Sequence, residues 1–140
     1  MKKAIIVKGR SGSGKTTTLT SLYNWIVSTY SPIIHSYQIV AGGDIDADIQ
    51  VGSLRIRINS SGDEGHHVDA YLKSAVANNY DIIIGACRRR GSTNLAVRTN
   101  LVYPNYVVDY VHTHHVPANQ LATFLNVKGD ECKARIIGVH

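Results

Sequence analysis

The sequence predicts an α/β fold in three layers, with a mostly parallel central sheet that carries one antiparallel hairpin. Three observations lead there. A short β-branched run, Lys3 to Lys8, meets a glycine-rich turn and then a segment of helical period. Strand and helix patterns keep alternating along the chain. One strand pair, Asp46 to Val51 and Leu54 to Asn59, is joined by Gly52 and Ser53 alone, a connection that suits a II′ hairpin turn.

The elements follow in order. Lys3-Ala4-Ile5-Ile6-Val7-Lys8 is apolar throughout its middle and of strand length. Gly9-Arg10-Ser11-Gly12-Ser13-Gly14-Lys15-Thr16 comes directly after it and fits G-x-x-x-x-G-K-[ST] without a mismatch. From Lys15 to Val27, the residues Leu19, Leu22, Tyr23, Ile26 and Val27 share one face of a 3.6-residue period. Pro32 stops this helix and biases Ser31 towards extended backbone. Ile33 to Val40 reads as a second strand and Ala41-Gly42-Gly43-Asp44 as a turn. In the hairpin, Leu54, Ile56 and Ile58 alternate with Arg55 and Arg57, so one face is expected to be buried and the other wet.

Ser60-Ser61-Gly62-Asp63 then opens a helix that Asp63 can cap, with His67, Val68, Tyr71, Leu72, Ala75 and Val76 as its buried stripe. Asp81 to Ala86 is a short, fully apolar strand that runs into Cys87-Arg88-Arg89-Arg90. A helix over Thr93 to Asn100, a turn at Tyr103-Pro104-Asn105, and a last core strand from Tyr106 to His112 follow. The tail from Ala118 to Ile137 has a helical pattern that Gly129 weakens.

The glycine-rich stretch has a physical reading. Gly9, Gly12 and Gly14 permit backbone torsions that let successive N–H groups face one concavity, and the positive end of the following helix adds to that anion nest. The chain here resembles the P-loop NTPase superfamily over roughly its first 28 residues. The resemblance implies a three-layer P-loop fold in which Gly9, Arg10, Ser11, Gly12, Ser13, Gly14, Lys15, Thr16 and Thr17 hold a nucleoside triphosphate. Lys15 would reach the β- and γ-phosphates, and the Thr16 hydroxyl would ligate Mg²⁺. With its hairpin, its strand ending in Ser60-Ser61-Gly62-Asp63 and its arginine-rich loop, the chain also looks like small ATP-binding proteins of bacteria and their phages.

Such a site needs an acid near Mg²⁺, and ligands of open α/β sheets gather at the C-terminal ends of strands. Asp63 stands just past such an end and is the expected metal or water-orienting acid, so that Thr16 and Asp63 form the expected metal pair. Helix capping is the competing role for Asp63. Asp81 precedes its strand and is expected at the opposite end. Asp44 and Asp46 are secondary candidates, since turns favour Asp for conformational reasons. Arg88 leaves its strand towards the glycine loop and is the expected arginine for transferring phosphoryl oxygens or for an acceptor phosphate. Nucleoside monophosphate kinases carry an acid-Arg-aromatic triplet at a comparable place, but Cys87 and Arg89 occupy the outer positions here. His66-His67 and His112-x-His114-His115 lack a zinc-like spacing. The guanine signature N-K-x-D is missing, because Asn126-Val127-Lys128-Gly129-Asp130 has the wrong spacing.

The expected function is therefore Mg²⁺-dependent ATP binding with hydrolysis of the γ-phosphoanhydride. A small nucleotide or metabolite kinase and a nucleotide-dependent switch acting through a protein partner or second subunit are the alternatives. The 140 residues make one expected domain, 1–140. A net charge of +5 raises nucleic acid as a partner. It is not favoured, because aromatics do not interleave with the basic residues. No apolar run approaches the roughly 20 residues of a membrane span, so no membrane partner is expected. Lys8 cuts the first apolar run too early for a signal peptide. Cys87 and Cys132 are isolated, which makes the reducing cytoplasm the expected location.

Overall fold

A computed structural model describes residues 2–10 and 12–113. The expected tail helix, the Asn126–Asp130 segment, His114, His115 and Cys132 lie outside the described residues. Those residues form an α/β arrangement: β1 (Lys2–Lys8), α1 (Lys15–Tyr30), β2 (Ile33–Ile39), a 3-10 turn (Ala41–Gly43), β3 (Ile45–Val51), β4 (Leu54–Asn59), α2 (Gly65–Ala77), β5 (Ile82–Cys87), α3 (Ser92–Asn100) and β6 (Tyr106–His112). One mixed six-stranded sheet runs in the order β2-β3-β4-β5-β1-β6. The strands β4, β5, β1 and β6 are parallel neighbours, and β3 and β2 add to β4 in antiparallel fashion. The expected mostly parallel sheet with an antiparallel hairpin is what forms. No described helix is long and apolar enough to cross a membrane.

Position in the sheet explains the sequence patterns. β1 and β5 lie inside the parallel part and are covered on both faces, so they read as unbroken apolar runs. Alternate side chains point to opposite faces. Ile5, Val7, Ile82 and Ile84 pack with Leu19, Leu22 and Ile26 of α1. Ala4, Ile6 and Ile83 pack on the other side with Val68 and Leu72 of α2 and Val97 of α3. Burying each large aliphatic side chain contributes about 1.5–3 kcal/mol, so these two clusters hold the helices to the sheet. The Tyr71 hydroxyl of α2 donates to the carbonyls of Ile84 (2.7 Å) and Arg57 (3.1 Å), which ties α2 to the β4–β5 junction. In the hairpin only Gly52 of the connecting pair has a positive φ, 61°, as a II′ turn requires.

Four local expectations need correction. The first helix runs on to Tyr30, and Ser31 is left-handed (φ 47°, ψ 57°), not extended. Its N–H donates to the Val27 carbonyl at 3.1 Å, so satisfying a helix-end acceptor outweighs the bias imposed by Pro32. The face of β4 that carries Arg55 and Arg57 is not simply wet. Arg57 forks onto Asp46 at 2.7 and 2.9 Å, and Arg55 lies 4.6 Å from the Tyr80 ring centre. His67 is 59% exposed, in the first turn of α2, which begins two residues earlier. Asp63 does not cap α2; Glu64 takes the cap position and supplies no side-chain bond.

Gly62 shows how closely the segment after β4 is drawn to β5. A Cβ at this position would stand 2.7 Å from the Ala86 Cβ and 2.9 Å from its carbonyl carbon. Backbone cannot yield as a flexible side chain would. Gly62→Ala is expected to lower the unfolding free energy by about 1–3 kcal/mol in denaturant titrations, the usual cost of overpacking. An unchanged midpoint and slope would show that this approach is looser than described.

Candidate functional site

Parallel strands release their C-terminal loops at one edge, and here three chemically loaded loops emerge together. Lys8 is level with Cys87 of β5 and with His112 of β6. The Gly9 N–H donates to the Cys87 carbonyl at 3.0 Å, and the Thr113 N–H donates to the Lys8 carbonyl at 2.8 Å. Gly9 needs to be glycine for space. A Cβ there would overlap the Thr113 hydroxyl and press on the Ser13 hydroxyl. Those two hydroxyls share a buried hydrogen bond of 2.7 Å, which ties the loop to the end of β6. Gly12 (φ 75°) and Gly14 (φ 91°) take the left-handed torsions that the loop requires, and Gly14 caps α1.

Lys15 is the buried centre of this loop, only 5% exposed. Its ammonium group donates to the carbonyls of Gly9 (3.1 Å) and Arg10 (2.9 Å) and pairs with Asp63 at 3.1 Å. Asp63 also meets the Arg88 guanidinium at 3.5 Å. Burial alone would push the Asp63 carboxyl up. The hydrogen bond and charge of Lys15, with Arg88 beside them, outweigh that and hold it below the ordinary carboxylate value. The carboxylate is therefore charged at neutral pH, and its tie to Lys15 is lost only as the pH falls through that lowered value.

The acid brought against Thr16 is Asp44. The Thr16 hydroxyl donates to Asp44 Oδ1 at 2.6 Å, and the Ser60 hydroxyl donates to the same oxygen at 3.0 Å. Ser60, itself buried, accepts from the Ile45 N–H at 2.9 Å. The turn before β3 holds Asp44 in place, since the Val40 N–H donates to the Asp44 carbonyl at 2.8 Å. Asp46, the other secondary candidate, is occupied by Arg57. Asp81 lies at the opposite edge, where its carboxylate accepts from the Arg55 N–H at 2.8 Å.

Of the expected site residues, Gly12, Gly14, Lys15, Thr16, Thr17 and Asp63 line one cavity of about 280 Å3 together with Ser60. Gly9 and Ser13 support the loop from below, and Ser11 is outside the described residues. Arg10 and Arg88 line a neighbouring cavity. His66 and His67 stay exposed beside Glu64. Cys87 closes β5 as a buried thiol that burial pushes up to about 11, so it stays protonated and unreactive at neutral pH.

Sequence reasoning missed Ser60 and placed Asp44 second, although the hairpin register contains both. With Val51 opposite Leu54, counting back pairs Asp46 with Asn59. The residues just before β3 and just after β4 therefore share one edge. The donors at Thr16 and Asp44 are a hydroxyl and a carboxylate oxygen, the hard set that suits Mg²⁺, with Asp63 on the same cavity. No family model matches the chain, and neither a curated protein nor a solved structure matches it.

Asp44→Asn keeps an acceptor for both hydroxyls and removes the charge. The ratio of ATP affinity with Mg²⁺ to that without it is expected to fall about 10–100-fold, the range seen when metal-orienting groups are lost. Metal-free affinity should stay unchanged or strengthen. Calorimetry in Mg²⁺ and in chelator reads both values, and an unchanged ratio would count against Asp44 as a metal ligand.

Proposed function

We propose that the protein is a Mg²⁺-dependent ATP-binding protein that hydrolyses the γ-phosphoanhydride, built on a three-layer P-loop NTPase fold. One observation carries the reading. A buried lysine and a hydroxyl–carboxylate pair, drawn from the Gly9–Thr16 loop, the turn before β3 and the segment after β4, converge on one cavity at the C-terminal edge of the sheet. A triphosphate needs that combination: a cation for its terminal oxygens and hard oxygen ligands for its metal. The sheet has α1 on one face and α2 and α3 on the other, which also supports the fold assignment.

Within this reading Lys15 is held in place before nucleotide arrives. The two loop carbonyls fix its ammonium group, and Asp63 stands where it balances that charge. The β- and γ-phosphate oxygens take over from the Asp63 carboxylate on Lys15, leaving Asp63 beside the terminal phosphate to orient water. Arg88, on the far side of Asp63, faces the charge that grows on the phosphoryl oxygens. Thr16 and Asp44 would hold Mg²⁺, which when bound supplies neutralisation of phosphate charge. The missing N-K-x-D signature favours ATP over GTP.

Kinases close a lid to keep water from the γ-phosphate. The longest connection between described elements is Gly9–Gly14, too short to form one. Among the described residues no connection is long enough to cover the cavity, which supports hydrolysis without an added acceptor. The kinase reading remains the second one, favoured by the arginine-lined cavity next to the site.

The experiment pairs nucleotide binding with phosphate release, for wild type and Lys15→Ala. Removing the ammonium group is expected to weaken ATP binding about ten- to a hundredfold, from roughly 1.5–3 kcal/mol per charge-assisted contact. Wild type should release phosphate slowly with no acceptor, on the order of 10⁻³ s⁻¹ or less. ATP affinity that is unchanged in a folded Lys15→Ala variant would sink the nucleotide reading.

A further inference from the structure

Among the described residues, the arginines next to the site meet fewer acids than their charge calls for. Arg10, Arg88, Arg89 and Arg90 line one cavity of about 260 Å3. Their meeting is dictated by the sheet. Arg10 follows β1, and Arg88 to Arg90 follow β5, whose end is bonded to the start of the glycine loop through the Gly9 N–H and the Cys87 carbonyl. The turn itself is pinned, because the Arg88 N–H donates to the buried Thr93 hydroxyl at 2.8 Å. Arg89 is steadied by the Thr113 carbonyl at 3.3 Å.

All four are exposed, yet they line one concavity in place of separate stretches of surface. Among the described residues the acid against them is Asp63, which touches Arg88 and is already shared with Lys15. No described acid stands within ion-pair distance of Arg10 or Arg90. Like charges gathered this way repel one another until an anion fills the space between them. Guanidinium forks match the oxygens of a phosphate monoester, two parallel bonds at a time. The concavity is open to solvent, which leaves room for the molecule bearing the phosphate.

We infer that the four-arginine cavity binds the phosphate group of a small phosphomonoester, a second ligand held across Asp63 from the terminal phosphate of the nucleotide. The inference rests on the nucleotide reading for what occupies the neighbouring cavity, while the anion site rests on its own residues. The two loops that form it leave adjacent strands, so the second ligand stands beside the Lys15 site and not over it.

Calorimetric titration with ribose 5-phosphate, with ribose as the uncharged control, tests it in four settings: wild type alone, wild type saturated with the Mg²⁺ complex of the β,γ-imido analogue of ATP, Lys15→Ala, and Arg90→Ala. Ribose 5-phosphate is expected to bind wild type in the presence and absence of the analogue, and still to bind Lys15→Ala, though more weakly, because the Asp63 released by Lys15 competes for Arg88. Arg90→Ala should weaken it at least about tenfold, and Arg90→Lys should recover part of that loss. Ribose should show no heat of binding. Complete block by the analogue would overturn the inference, since the arginines would then serve the nucleotide's own phosphates. So would loss of binding in Lys15→Ala, which would place the anion in the glycine loop, or indifference to Arg90→Ala. A 5′-phosphorylated oligonucleotide that binds more than tenfold tighter than ribose 5-phosphate would overturn the small-molecule assignment. If the analogue fails to bind while ribose 5-phosphate still responds to Arg90→Ala, the nucleotide reading falls and the arginine site stands.

Discussion

The parallel register of β1 between β5 and β6 is the constraint on which the rest depends. Lys8, Cys87 and His112 end level, so the glycine loop, the arginine loop and Thr113 leave the sheet side by side. That register is held by apolar burial on both faces of β1 and β5, not by the polar contacts at the edge. The glycine loop is then shaped by what it must fit beside. Gly9 has no room for a side chain because Thr113 and Ser13 already fill the space.

Charge governs the second level of organisation. Lys15 is buried, and a buried ammonium group needs acceptors in place of water. Two loop carbonyls and Asp63 provide them. Asp63 is half-exposed where it meets Lys15, so in the proposed reading a phosphate could take its place without leaving the lysine unpaired. The Thr16–Asp44–Ser60 cluster is joined by its own hydrogen bonds, and Thr16 and Ser60 line the same cavity as Lys15 and Asp63.

Much of the fold was legible in the sequence because local and global preferences agree. The apolar runs of β1 and β5, the stripe of α1 and the two-residue hairpin turn each admit few alternatives. Where the sequence misled, a tertiary partner had replaced a local preference. Ser31 follows a helix-end carbonyl and not Pro32, Asp63 follows Lys15 and not the helix N-terminus, and Arg57 follows Asp46 and not water. Within the candidate site, Lys15 and Thr16 carry a strong signal in the Gly9–Thr16 pattern, whereas Asp63 and Arg88 are marked only by following strand ends. Asp44 carries no such signal, since an Asp in a Gly-rich turn has a sufficient local reason to be there. Its partner Thr16 lies in a separate part of the chain, and only the hairpin register brings them to one edge.

In the proposed reading the Gly9–Thr16 loop is a nest for the phosphates of a metal-bound nucleotide. Hydrogen exchange read by mass spectrometry reports on it directly, because a bound triphosphate must engage the N–H groups at the start of α1. On adding Mg²⁺ and ATP, peptides covering Gly12 to Thr18 should slow strongly, with smaller protection around Asp44 and Ser60 to Asp63. The peptide over Gly52 and Ser53, at the far edge of the sheet, should not change. Exchange at Gly12 to Thr18 that is the same with and without Mg²⁺ and ATP, at saturating concentration, would contradict the account.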